Sequence, residues 1–180
     1  MTEDIHPLAS LEFIPYIDSE GKLPEFIQGK IGVYAIFDQE KVLQFVGYSR
    51  DTYLSLKQHL VRQPEHCYWL KVQTIEKPSR TILESIRSSW IAENGSQPQG
   101  NGADAAAKWN DPIDTKTVMT TQEIANYEGI VADELAKDKL LKNVARRVEN
   151  EILSLLKVRG VTEEIRFNPK LKTSGLLDLK

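Results

Sequence analysis

The sequence predicts an α+β fold: a small sheet of about three strands flanked by helices, followed by a C-terminal helical extension. Two runs of β-branched and aromatic residues, 31–37 (IGVYAIF) and 42–47 (VLQFVG), bracket the polar Asp38-Gln39-Glu40-Lys41, which is the pattern of a β-hairpin. Apolar residues then recur at helical spacing over 51–61 and 80–92, with a third β-rich run at 67–75 between them. Beyond Thr120 the pattern becomes that of long helices, with Leu141, Val144, Val148, Ile152 and Leu155 spaced like a bundle seam.

In chain order, residues 1–30 carry an apolar patch (Leu11, Phe13, Ile14, Tyr16, Ile17) interrupted by Pro15, which disfavours a central strand and predicts an extended arm packed on the domain. A tight hairpin turn between Gln39 and Glu40 sets Tyr34 opposite Phe45, with their Cβ atoms about 5 Å apart. Ser49-Arg50-Asp51 caps a helix in which Tyr53, Leu56 and Leu60 form the buried stripe, while Ser55, Gln58, His59 and Arg62 share the other side. Pro64 ends it. The helix over 80–92 buries Ile82, Leu83, Ile86 and Trp90, and Glu84 lies off that stripe.

Residues 94–114 are rich in Gly, Asn, Pro and Asp and read as a long surface loop. Thr120 to Glu123 has the form of a capping box, and Gly129 is placed to divide the helical stretch that runs to about Val158. Pro169 and Gly175 make the tail irregular. The organisation is therefore a packing arm (1–30), a domain (31–110) and a helical extension with its tail (111–180).

A hydrophobic fraction of 41% supports a packed core and excludes wholesale disorder. The net charge of −3 argues against strong indiscriminate binding of nucleic acid. Positive charge is uneven: residues 1–114 hold 11 Lys and Arg against 16 Asp and Glu, and residues 115–180 hold 12 against 10. The lone Cys67 excludes a disulfide framework and a thiolate zinc cluster, and His59, His66 and Cys67 lack a fourth ligand at suitable spacing. With no apolar run of membrane-spanning length and an acidic N-terminus, the chain is expected to be cytoplasmic.

Gly32-Val33-Tyr34, Phe45-Val46-Gly47, Ser49, the helix near His59, Glu84 on the next helix and Asn101 in a Pro-x-Gly-Asn turn together resemble the GIY-YIG nuclease domain, over roughly residues 30–102. The resemblance implies a GIY-YIG-like three-stranded sheet and a phosphodiester-cleaving site. In that site Tyr34 stands at the attacking water, Glu84 ligates a magnesium ion and Asn101 gives support. It also implies two departures. Phe45 stands where a second tyrosine belongs, and Ser55 where a phosphate-holding arginine belongs.

Phenylalanine neither takes a proton nor orients water, a loss of about 10²–10⁴ in rate. A missing cation at a transferring phosphate costs about 10³–10⁵. The leading expectation is thus a GIY-YIG-like domain with a degenerate nuclease site, acting as a nucleic-acid-associated or protein-interaction module. The alternatives are an active magnesium-dependent endonuclease working through Tyr34 and Glu84, and a structural or regulatory dimerising protein. Arg50, Lys57, Arg62, Lys142 and Arg146 are the candidate contacts to DNA or another nucleic acid. The helical region 120–158 is the candidate surface for a homodimer or a protein partner.

Each residue also has a plainer reading: Tyr34 as a β-former packed on Phe45, Glu84 as an ion-pair partner of Arg80 or Arg87, Asn101 as a turn residue. The tryptophans read as core and loop anchors.

Overall fold

The computed structural model describes residues 4–180. The chain divides into two compact units, one running up to Asn110 and including Val161–Glu163, the other made of Asp111–Gly160 and Glu164–Lys180. The architecture is α+β, with an antiparallel sheet flanked by helices. None of the described helices is long and apolar enough to cross a membrane.

In the first unit the strands are β1 (Ile14–Pro15), β2 (Ile31–Phe37), β3 (Leu43–Ser49) and β4 (Trp69–Ile75), in the order β1-β4-β2-β3. The sheet has four strands rather than three, because the arm contributes β1, which pairs Ile14 with Leu70 and Pro15 with Trp69. Proline is accommodated there because β1 is an edge strand. Helix α1 (Thr52–Arg62) links β3 to β4, and α2 (Arg80–Asn94) follows β4. Asp51 and Ser79 cap them by accepting from the backbone N–H of Leu54 and Ile82.

The hairpin register differs from the expectation by two residues. Tyr34 pairs with Gly47, and Phe45 with Ile36. The Asp38 carboxylate accepts from the N–H groups of Glu40 and Val42, and Lys41 takes a left-handed φ of 63°, so the turn is wider than a two-residue one. An irregularity between Ile36 and Phe37 adds the rest of the shift. A slip of two preserves side-chain faces, so the Tyr34 and Phe45 rings still approach, with centroids 6.3 Å apart.

One face of the sheet packs on α2. Val33, Ala35, Phe37 and Val46 meet Leu83, Ile86 and Trp90, with Tyr48 at the margin. The other face carries Tyr34 and Phe45 toward α1. His59 is buried with Leu56 and Leu60 and does not share an exposed side with Gln58. The stretch expected as a structureless loop holds a 3-10 turn (Gln99–Asn101) and a short helix, α3 (Ala106–Asn110), whose Trp109 is buried.

The second unit contains β5 (Ile113–Asp114), α4 (Thr121–Glu128), α5 (Glu134–Val158) and β6 (Leu176–Leu177), with β5 and β6 antiparallel. The Thr120–Glu123 capping box forms, and α4 ends at Gly129. On α5 the buried seam is Leu141, Val144, Ala145, Val148, Ile152 and Leu156. Leu155, expected in the seam, is instead 47% exposed. The seam steps from Ile152 to Leu156 at a spacing of four, and one residue of drift turns Leu155 to solvent.

Candidate functional site

Of the predicted site residues, Tyr34, Phe45 and Asn101 lie about the edge strand β3, where Gly47 makes room for the Tyr34 and Phe45 rings. A Cβ there would lie 2.6 Å from Phe45 Cε1 and 2.8 Å from the Tyr34 hydroxyl oxygen. Tyr34, Gly47, Tyr48, Arg87 and Asn110 line a depression of about 240 Å³ at this edge. Its lining comes from both faces of the sheet, Tyr34 from one and Tyr48 and Arg87 from the other, and the two faces hold different chemistry.

On the α1 face the Tyr34 hydroxyl and His59 Nε2 are 2.8 Å apart. Phe45 stacks on Trp109, with centroids 5.0 Å apart and planes within 2°, and contacts the His59 ring at 4.8 Å. Trp109 arrives on α3, which Arg62 holds by donating to the Trp109 carbonyl at 3.0 Å. Burial, and secondly the Arg62 charge, push the His59 imidazolium down to about 3, so the ring is neutral at physiological pH. Nδ1 is buried without a partner in hydrogen-bond geometry. The Trp109 backbone lies close enough to oppose the fall in part.

Burial drives the Tyr34 phenol well above its ordinary value, against a hydrogen bond with Ser55. A phenol so raised keeps its proton at neutral pH and is no general base. Ser55 donates to Ser49 Oγ at 2.7 Å. The Ser55 position thus holds a hydroxyl, while the Arg62 and Arg87 charges act on the Tyr34 phenol and offset only part of the effect of burial.

On the α2 face Tyr48 donates to Glu84 at 3.1 Å, and Arg80 Nε to the same oxygen at 2.8 Å. Arg80 chiefly, then Tyr48, hold the Glu84 carboxyl below its ordinary range. No cluster of three or more His, Cys, Asp or Glu side chains suited to a metal occurs among the described residues. Tyr48 and Arg80 thus both donate to Glu84 Oε1 and compete with any cation for that oxygen.

Asn101 is spent on structure. Its side chain accepts from Val46 N–H and donates to Val46 C=O, each at 2.8 Å, and so caps the free edge as a neighbouring strand would. Of the candidate cations, Arg50 is exposed, Lys57 is half-buried and Arg62 is turned to Trp109. Lys142 and Arg146 belong to α5 of the second unit. Sequence reasoning missed His59, Trp109 and Arg87 as members of this edge. The one available signal was His59's place between Leu56 and Leu60 on the apolar stripe.

No family model matches the chain. Among curated proteins it is similar to the bifunctional monothiol glutaredoxin-S16, chloroplastic, of Arabidopsis thaliana, with 34% identity over 101 residues. The match covers 54% of this chain and 33% of that protein, so the chain spans about a third of the length of the relative. The relative is named as a glutaredoxin and not as a nuclease. On that finding the assignment to the GIY-YIG nuclease family is corrected, and the endonuclease, degenerate-nuclease and DNA-binding readings and the magnesium cofactor with it. The structural or dimerising alternative gains no support from it either.

Proposed function

We propose that this chain serves a thiol-redox system as a companion module and not as its thiol centre. Support comes from the likeness to a protein named as a bifunctional glutaredoxin, of which the chain spans only a third. The observation that carries the reading is Cys67, the sequence's one cysteine. It is fully buried, and its Sγ lies 3.6 Å from the His59 carbonyl to which it donates. Thiol–disulfide exchange needs an accessible thiolate in an electropositive setting. A thiol sealed under a helix end offers no access to a disulfide. The chemistry of such a system therefore falls to another thiol, and this chain supplies a surface.

The surface offered is on α5, where Leu155 and Val158 are exposed beside Arg147, Asn150, Glu151 and Ser154 in a shallow, mainly apolar depression. A protein partner there, or a second copy of the chain, fits apolar contact with a polar rim. A buried, single thiol suits a reducing compartment. That setting covers both the cytoplasm expected from composition and the chloroplast named for the relative.

The experiment measures reduction of a glutathione mixed disulfide by the chain alone, and binding of the chain to a monothiol glutaredoxin by calorimetry. The expected result is no turnover above background, unchanged by Cys67→Ser, with micromolar binding weakened at least tenfold by Val158→Asp. Turnover that depends on Cys67 overturns the reading in one direction, and absence of binding in the other.

A further inference from the structure

Residues 4–9 lie across the α2 face of the sheet in an unusual manner. Six hydrogen bonds from four side chains read their backbone. Gln73 accepts from His6 N–H at 3.0 Å and donates to the Asp4 carbonyl at 2.8 Å. The Trp90 indole donates to the His6 carbonyl at 2.8 Å, and Lys71 Nζ to the Leu8 carbonyl at 3.1 Å. The Glu93 carboxylate accepts from Leu8 N–H at 2.8 Å and Ala9 N–H at 2.7 Å.

The side chains of the segment contribute almost nothing. Asp4, Ile5, His6, Pro7 and Ala9 are exposed, and Leu8 alone, 6% exposed, enters the apolar cluster. Beneath it, Lys71 and Gln73 occupy core-facing positions of β4 opposite Ala35 and Val33, at 7% and 8% exposure. A strand facing a core ordinarily carries apolar residues there. These two positions are polar because the layer above them is a bare peptide backbone, whose N–H and C=O groups need partners.

The arrangement has the parts of a peptide-recognition site: main-chain bonds for affinity and one pocket for a single anchor. Pro7 holds the preceding residue extended, which lowers the ordering cost of such a segment. We propose that Lys71, Gln73, Trp90 and Glu93 form a peptide-binding groove, filled in cis by residues 4–9, whose outside ligand is an extended Xaa-Pro-Leu segment of a partner protein. The resident segment acts as a tethered competitor at an effective concentration on the order of millimolar. The outside ligand gains access when the resident is weakened or displaced. The inference stands apart from the thiol-redox reading, since it uses neither Cys67 nor α5.

The test uses the full chain and a fluorescein-tagged, amide-capped peptide of the sequence Asp-Ile-His-Pro-Leu-Ala, followed by polarisation. Wild type binds the peptide weakly, because its groove is filled. The Leu8→Asp chain, folded by circular dichroism, is expected to bind at least tenfold more tightly. Adding Glu93→Gln and Gln73→Ala is expected to remove that gain, as is replacing Leu by Asp in the peptide. A folded Leu8→Asp chain that binds no better than wild type overturns the proposal. If Leu8→Asp unfolds the protein, Ala9→Pro, which deletes one exposed N–H donor to Glu93, is read by the same criterion. A concentration-dependent dimer of wild type that is lost on Leu8→Asp assigns the groove to a second copy and overturns the partner-peptide form.

Discussion

The Tyr34 hydroxyl and the His59 imidazole meet at 2.8 Å beside the Phe45–Trp109 stack, and burial keeps both rings uncharged at neutral pH. His59 contributes to stability in a pH-dependent way. Its folded value is about 3 against an ordinary 6.5. Above pH 6.5 neither folded nor unfolded chain holds the proton, and the contribution is complete. As pH falls below 6.5 the unfolded chain takes a proton that the folded one refuses, so stability drops by about 1.4 kcal/mol per pH unit until the folded value is reached. Between pH 6.5 and 5 the loss from this one residue is about 2 kcal/mol. Urea denaturation of wild type and His59→Gln at pH 7, 6 and 5 checks it. His6 and His66 are common to both proteins, so the difference in slope isolates His59. Equal slopes refute the assignment.

Gly47 is required by the rings beside it rather than by its backbone, which is ordinary strand. Gly47→Ala places a methyl group 2.6 Å from Phe45 Cε1 and 2.9 Å from Tyr34 Cζ. Phe45 is held by Trp109 and Tyr34 by His59, so neither ring has room to yield. Overpacking of this kind costs about 1–3 kcal/mol. The midpoint of urea denaturation is expected to fall with unchanged m-value, together with a shift in tryptophan emission as the stack is disturbed. A variant as stable as wild type shows that the rings move freely.

Much of this arrangement was legible before any coordinates. The hairpin, α1, α2 and the Thr120–Glu123 capping box follow from periodicity and capping residues, which are local properties of the chain. The register was not legible, because it depends on Asp38 bonding back to two N–H groups of its own turn. Helix α3 was hidden in a run of Gly, Asn and Ala whose order comes from burying Trp109. His59 reads as a surface residue until the apolar stripe is seen to pass through it. The family assignment misled for a related reason. Short glycine–aromatic tripeptides suit any hairpin whose rings must cross a small residue, and Glu84 with Arg80 is the ordinary i,i+4 ion pair that spacing alone suggested.

Asn101 shows how a residue singled out for chemistry serves the fold. Val46 lies on the edge strand, fully buried, and its N–H has the Asn101 amide oxygen as partner. Its carbonyl receives both the Asn101 amide and, at 3.3 Å, Arg87 Nε. Asn101→Ala therefore orphans the N–H but leaves the carbonyl one donor, and a buried unsatisfied group costs about 1–3 kcal/mol. Asn101→Asp keeps an acceptor for the N–H but turns a second oxygen toward the Val46 carbonyl, so the gain at one atom is offset at the other. Both variants are expected to lose stability, and the Val46 amide to exchange with solvent at least tenfold faster in Asn101→Ala than in wild type. Hydrogen exchange resolved at Val46 decides the matter, because a residue serving only as a turn former would leave that amide as protected as before.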